Sequence, residues 1–515
     1  MKWESLNKRE TVFALAFGIG IVLAYQFYRA SKLQSIPGPF IAKFTNLHRF
    51  FLTRSGYAHL YQARAHEKYG AVVRFGPNMV SFCDPEAIPS IFHMRNGFAK
   101  SNMYRAFRPW TPNGQIASVF SAEDDAENRQ MKQHVAVYYS LSYTVSSFEK
   151  RVDDAIHMLF DQLNGKFVAT GAQFNLTMWL KFYSYDIMAL MTFRRAYGYL
   201  QHGDEFSTIM RDVKKSMMSI APMTQIPWLD WLLHKNRLVN SVKREAMSAL
   251  LTFVLARIAE RRNSSETASK TNVTGPDADG DFLGYFLQAM DKKADKVPLR
   301  YLTMWTMANI LGGSDSSAAV LRSLVCLLAK HPNALETVRT ELWNQQQTTT
   351  GLSLPVPQWH ELQNLLFLDA CINETLRTEP PFGLALERVV PVHGTTICGR
   401  FFPQGTIVGM NPYVTNRHRP TWGDDADVWR PRRWLEGNSA HIRKLEASLL
   451  TFGAGTRTCL GRQVAMLEIK KLLAALIINY DIGLVEPRAK VDRYFWIMMP
   501  ESVQVTIRKR DKPRI

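Results

Sequence analysis

Cysteine is scarce in this chain, with five in 515 residues. The number is odd and no C-x-x-C spacing occurs, which argues against a disulfide framework or a zinc site and fits a reducing compartment. A dense Lys/Arg run interleaved with aromatics is missing, so the formal charge of +18 does not point to nucleic acid. An anionic membrane surface, an acidic protein partner or a diffusely solvated surface all fit it. There is no 20–50-residue repeat and no long flexible linker between equal halves. No flavin- or nicotinamide-binding motif is evident either. What the chain does have is apolar mass: 46% of its residues are hydrophobic, enough for a large core and a lined pocket.

Uncharged, mainly apolar residues run from Thr11 to Tyr28, bracketed by Lys8, Arg9 and Glu10 before and Arg29 and Lys32 after. About eighteen residues is the short end of a membrane span. No small-residue cleavage site follows, and Lys43, Arg49 and Arg54 add positive charge on the C-terminal side. The run is therefore expected to be a signal anchor with a cytoplasmic body. Residues 1–35 are assigned to the anchor and the start of a linker, and 36–515 to one catalytic domain. Pro37-Gly38-Pro39 makes a stiff elbow after the anchor. Two short apolar runs, 71–75 and 79–82, flank Gly76-Pro77-Asn78 and predict a hairpin. Asp84-Pro85 reads as a helix start. A helical pattern spans about 126–141, and the polar stretch 261–281 is expected to be a surface loop.

The most specific signal is Phe452-Gly453-Ala454-Gly455-Thr456-Arg457-Thr458-Cys459-Leu460-Gly461, followed by a helical run from Gln463 to Asn479. Glycines let the backbone approach a flat macrocycle and take positive φ. The helix N-terminus just beyond favours a thiolate. A half-buried structural cysteine is the bland reading. The spacing F-x-x-G-x-R-x-C-x-G fixes five positions together, which composition would produce in on the order of one chain in ten thousand. Haem ligation by Cys459 is therefore favoured.

This stretch resembles the haem-binding loop of the cytochrome P-450 family, and the resemblance extends from about Ile36 to the C-terminus. It implies a mainly α fold with a small β domain. Haem b would lie between a long central helix and the cysteine loop, with Cys459 as metal ligand. Phe452, Gly453 and Gly461 would be cofactor-binding, and Arg388, Arg457 and Lys132 would face the propionates. Lys132 stands where Arg is usual, keeping the charge but losing the bidentate fork. Asn128 stands where Trp or His is frequent.

Leu299 to Lys330 reads as one long helix carrying Gly312-Gly313-Ser314-Asp315-Ser316-Ser317. Two mid-helix glycines cost roughly 1 kcal/mol each relative to alanine, and His331-Pro332 already ends the helix, so they are not a C-cap. Missing side chains suit close passage over a haem. Asp315 and Ser316 supply an acid and a hydroxyl for proton delivery. The segment resembles the family's A/G-G-x-D/E-T-T motif, with Ser316 in place of Thr. Glu374 and Arg377 form an E-x-x-R pair on one helix face. Arg433, from a segment similar to the family's P-E-R-F, is expected to close an Arg–Glu–Arg brace. The implied activity is insertion of one atom of O2 into a hydrophobic small molecule, as a tailoring oxidation in fungal secondary metabolism at the endoplasmic reticulum. Electrons would come from NADPH through a separate reductase. An O2-independent haem-thiolate isomerase or dehydratase, and a non-catalytic haem-binding membrane protein, are the rival readings. Trp110, Phe382 and the run 495–499 are the expected pocket walls.

Overall fold

The computed structural model describes residues 32–92, 97–111, 114–205, 207–236, 249–269, 280–292, 297–349, 351–486 and 491–510, with Glu10 and Phe17. The expected anchor, Thr11–Tyr28, lies outside the described residues apart from Phe17. The helices that position the site are α1 (Asp125–Lys132), α2 (Leu141–Leu163), α3 (Leu176–Phe193), α4 (Leu299–Lys330), α5 (Leu366–Thr378) and α6 (Arg462–Asn479). α4 is the axis of the molecule. At 1.5 Å per residue its 32 residues span about 48 Å, and α3, α5 and α6 all pack on it. Among the described residues it is the one helix long and apolar enough to cross a membrane. Yet 72% of its apolar window is buried in the protein, so it serves as a core helix with apolar residues all round.

The helix runs unbroken through the two glycines, as read from the sequence, and they do different work. A Cβ on Gly313 would stand 2.5 Å from Met188 Sδ, so this glycine lets α3 and α4 approach closely. A Cβ on Gly312 would meet nothing within 4 Å. It faces the cavity described below.

The helical pattern at 126–141 resolves into two helices. α1 ends at Lys132, a 3-10 turn covers Ala136–Tyr139, and Ser140 takes the extended backbone of an N-cap (φ −68°, ψ 153°) before α2. The expected loop at 261–281 is also corrected. A helix continues from Ala249 to Ser269, carried by Ala, Arg and Glu, whose propensity outweighs the neighbouring Ser and Asn. Residues 270–279 are outside the described set. Asp281 then caps the next helix through the Gly284 N–H (2.6 Å) and ion-pairs with Arg261 at 2.7 Å.

The largest sheet is short and five-stranded: β1 (Val72–Gly76), β2 (Met79–Phe82), β3 (Ala99–Lys100), β4 (Leu386–Val389) and β5 (Ile407–Met410), in spatial order β1-β2-β5-β4-β3. β1 and β2 form the predicted hairpin, β5 runs parallel to β2, and β4 is antiparallel to both β5 and β3. The β3–β4 register sets Lys100 opposite Arg388. Asp84 accepts the Glu86 N–H at 2.9 Å and starts the following turn, as expected. The architecture is mainly α with a small β region.

The predicted brace is present at the foot of α5. Glu374 and Arg377 are both fully buried and paired at 2.8 Å. Glu374 also accepts from Arg433 Nε (3.3 Å), Trp434 Nε1 (2.9 Å) and the Arg430 N–H (2.9 Å). Arg377 spends Nη1 on the Asn416 carbonyl (2.8 Å). The Asn416 carboxamide in turn holds the Leu450 N–H (3.0 Å) and Thr451 Oγ1 (2.9 Å). The brace thus reaches the root of the cysteine loop through one asparagine.

Candidate active site

The cysteine loop leaves Thr451 and closes on itself. The Cys459 N–H donates to the Phe452 carbonyl at 2.8 Å, and Gly453 and Gly455 sit at φ +69° and +65°, values that strain residues bearing a Cβ. α6 begins three residues after the cysteine. Cys459 is exposed, but into a cavity of about 1020 Å3. Burial pushes its thiol above the ordinary range, opposed by the Gly461 N–H and by Lys132 and Arg462. A metal cation at the sulfur would deprotonate it outright.

One cavity collects Ser316, Lys132, Arg388, Phe452, Gly453, Arg457, Cys459 and Gly461. Every nominated residue except Asp315 therefore lines the same space. Asp315 is buried on another side of α4, where it ion-pairs with Lys181 of α3 at 2.9 Å and accepts from the Tyr185 hydroxyl at 3.1 Å. Consecutive helical residues lie about 100° apart, and here that rotation is enough to take Asp315 out of the cavity that Ser316 lines. Ser316 Oγ, on the cavity side, donates back to the Gly312 carbonyl.

The cations differ in what they have left to give. Arg457 is engaged along its length, with Asp125 at 2.7 Å and with the Ala122, Glu123 and Asp124 carbonyls at 3.0, 3.2 and 3.0 Å. It fastens the cysteine loop to the start of α1. Lys132 bridges to the Thr456 carbonyl at 3.2 Å, and burial lowers its pKa. Arg388 is buried over the Phe92 ring, with one donor on the Glu387 carbonyl. Asn128 turns its amide to the Val119 carbonyl at 2.6 Å.

Two cavity residues escaped the sequence reading. Lys100 is buried between the Tyr104 and Phe120 rings, with Nζ 4.3 and 4.7 Å from their centroids. Its pKa is drawn well down by burial and then by Arg388 and Arg457. Nothing local marks it; only the β3–β4 register brings it to Arg388. Glu468 is fully buried on α6; among the described residues neither carboxylate oxygen has a well-formed hydrogen bond, and burial pushes it up to about 8, with the nearby Ser317 hydroxyl pulling the other way. A glutamate amid the apolar run 463–479 was its visible signal. Of the expected walls, Trp110, Phe382, Trp496 and Ile497 line the cavity, whereas Phe495, Met498 and Met499 do not.

The residues present fit haem. A soft sulfur donor faces the cavity, open space lies over Gly312, apolar walls surround both, and Lys100, Lys132, Arg388 and Arg457 suit a dianionic macrocycle. Fold and site together define a haem-thiolate protein. The chain belongs to the cytochrome P450 family, whose model matches residues 37–507. It is 41% identical over 505 residues to cytochrome P450 monooxygenase mfmA of Annulohypoxylon moriforme, covering 96% of each chain. It is 39% identical over 506 residues to cytochrome P450 monooxygenase pkfB of Emericella nidulans, covering 98% of this chain and 97% of that one. With cytochrome P450 monooxygenase asR2 of Sarocladium schorii the identity is 38% over 514 residues, with 98% of each covered. By class it is an oxidoreductase of the monooxygenase type, with haem-thiolate iron, a redox partner and a small-molecule substrate.

Proposed function

We propose that this monooxygenase inserts one oxygen atom into a hydrophobic small molecule as a tailoring step of fungal secondary metabolism. The observation that carries this reading is the convergence of Cys459, Gly312 and Ser316 on one largely apolar cavity. Haem bound there supplies reductive activation of dioxygen at a thiolate-ligated iron. Cys459 holds the metal. Lys100, Lys132 and Arg388 would pair with the carboxylates of the macrocycle, and Arg457 keeps the cysteine loop against α1. Rotation of Ser316 about χ1 releases its hydroxyl from Gly312 to hold a water or an oxygen atom in the cavity. Asp315, held on another side of α4 by Lys181 and Tyr185, is the carboxylate that would relay protons toward the Ser316 side.

Electrons come from NADPH through a separate flavoprotein reductase, drawn to a chain with a formal charge of +18. Residues 11–28 anchor the protein in the endoplasmic reticulum with the catalytic domain, 36–515, in the cytoplasm. Phe40, Ile41, Phe44, Leu47 and Phe51, which follow the anchor, are exposed apolar residues that suit a membrane surface. Expression with a reductase and a panel of apolar scaffolds tests the activity. Oxygenated product with matching NADPH consumption supports it, and NADPH-independent rearrangement of a scaffold refutes it. Cys459→Ala is expected to abolish the thiolate-type ferrous–carbonyl spectrum; an unchanged spectrum would mean that another residue holds the iron.

A further inference from the structure

Among the described residues, α4 carries six buried side-chain donors without a partner, and Trp305 Nε1 and Asn309 Nδ2 are the two N–H groups of these that line the cavity. Trp305 and Asn309 are 3% and 6% exposed, both line the cavity, and among the described residues neither Trp305 Nε1 nor Asn309 Nδ2 has a partner. Buried N–H groups are nearly always paired, so two orphans one turn apart call for an acceptor. Residues 305, 309, 312 and 316 recur at intervals of four, three and four, which places them along one side of the helix. All four line the same cavity.

The orientation of the Asn309 amide is fixed from outside α4. Tyr139, in the 3-10 turn before α2, donates its hydroxyl to Asn309 Oδ1. Burial keeps that phenol protonated. Reversing the amide would orphan both the phenol proton and the Asn309 oxygen, whereas the observed arrangement orphans only the nitrogen. Tyr139 thus leaves the amide N–H2 as the free end. Met217, Leu250, Leu251, Phe282 and Met304 are among the apolar walls of the cavity, which Asp212, Ser216, His234 and Lys235 also line.

We propose that Asn309, oriented by Tyr139 and seconded by Trp305, is a specificity-determining station that receives a carbonyl-type oxygen on an otherwise apolar substrate. The proposal deepens the monooxygenase reading and rests on it. Seven residues separate Asn309 from Ser316, about 10 Å along the helix axis.

The test uses full-length holoenzyme and matched probe pairs, 1-tetralone against tetralin and 1-decalone against decalin, titrated by the shift of the haem Soret band. The wild type is expected to bind each ketone about ten-fold more tightly than its hydrocarbon. Asn309→Leu should bring the two into near equality, Tyr139→Phe should shrink the preference by loosening the amide, and Trp305→Phe should reduce it while keeping the ring. Equal or absent affinity for both members in the wild type overturns the proposal. So does an undiminished preference in Asn309→Leu. A rise in melting temperature for Asn309→Leu with an unchanged ratio would assign the orphan donors a structural role only, or a cavity water as their partner, and also overturns it. A wild-type chain that takes up no haem refutes instead the haem-thiolate reading, which is scored before any titration.

Discussion

Glu374→Gln is the sharpest probe of how the fold serves the site. The substitution changes no volume, so cavity terms vanish and charge alone is tested. Glu374 accepts from Arg377 Nε (2.9 Å) and Nη2 (2.8 Å), Arg433 Nε, Trp434 Nε1 and the Arg430 N–H, and it is fully buried. A carboxamide keeps one acceptor oxygen and turns two N–H groups toward existing donors. It also leaves the fully buried Arg377 without its counter-charge. Removing one member of a buried ion pair costs about 3–5 kcal/mol, against a total stability of about 5–15 kcal/mol for a typical domain. Arg433→Met should cost less, because Arg433 divides its charge between Glu374 (3.3 Å) and the partly exposed Asp425 (3.0 Å). The double variant should fall well short of the sum of the two, since both act on one network. Denaturant unfolding of each variant supplies the energies, and haem per polypeptide reports the cysteine loop through Asn416. A Glu374→Gln protein within about 1 kcal/mol of wild type and fully loaded with haem would refute both the charge argument and the proposed path to the loop.

Other consequences are smaller or more local. Gly313→Ala gains about 1 kcal/mol of helix propensity but forces Met188 aside, at about 1–3 kcal/mol, so a net loss in thermal stability is expected, with rescue by Met188→Ala. Glu468 has a folded-state pKa raised from 4.5 to about 8, so between those values the folded chain holds a proton that the unfolded chain releases. Stability must then fall as pH rises through that window, by at most about 5 kcal/mol, and Glu468→Gln should flatten the dependence. Unfolding at pH 5 and pH 8 checks this; parallel profiles would contradict it. Ser316→Ala should divert reducing equivalents from product to hydrogen peroxide, while Asp315→Asn should slow turnover and change its solvent isotope effect. Unaltered coupling in Ser316→Ala would remove the hydroxyl from the proton path.

The extent of the central helix was legible from local pattern alone. Its apolar residues continue to Lys330, Pro332 stops it, and α4 spans Leu299–Lys330 as read. The cysteine loop was equally legible, because ligand spacing and turn-forming glycines are properties of consecutive residues. The brace was half legible: E-x-x-R lies within one helix, and the structure supplied the path through Asn416. Composition misled at 261–269, where helix formers among Ser and Asn were read as loop.

What sequence could not decide was direction and company. Asp315 and Ser316 are adjacent in the chain, yet helical rotation sends one to Lys181 and the other to the cavity. Gly312 and Gly313 look equivalent, yet one faces open space and the other Met188. Lys100, Tyr139 and Asn309 carry no local signature, and each gains its meaning from a partner distant in the chain, Arg388 for Lys100 and the other of the pair for Tyr139 and Asn309. Periodicity and turn chemistry are short-range and written residue by residue; which donor is left unpaired, and which charge unmatched, exists only once distant segments have packed together.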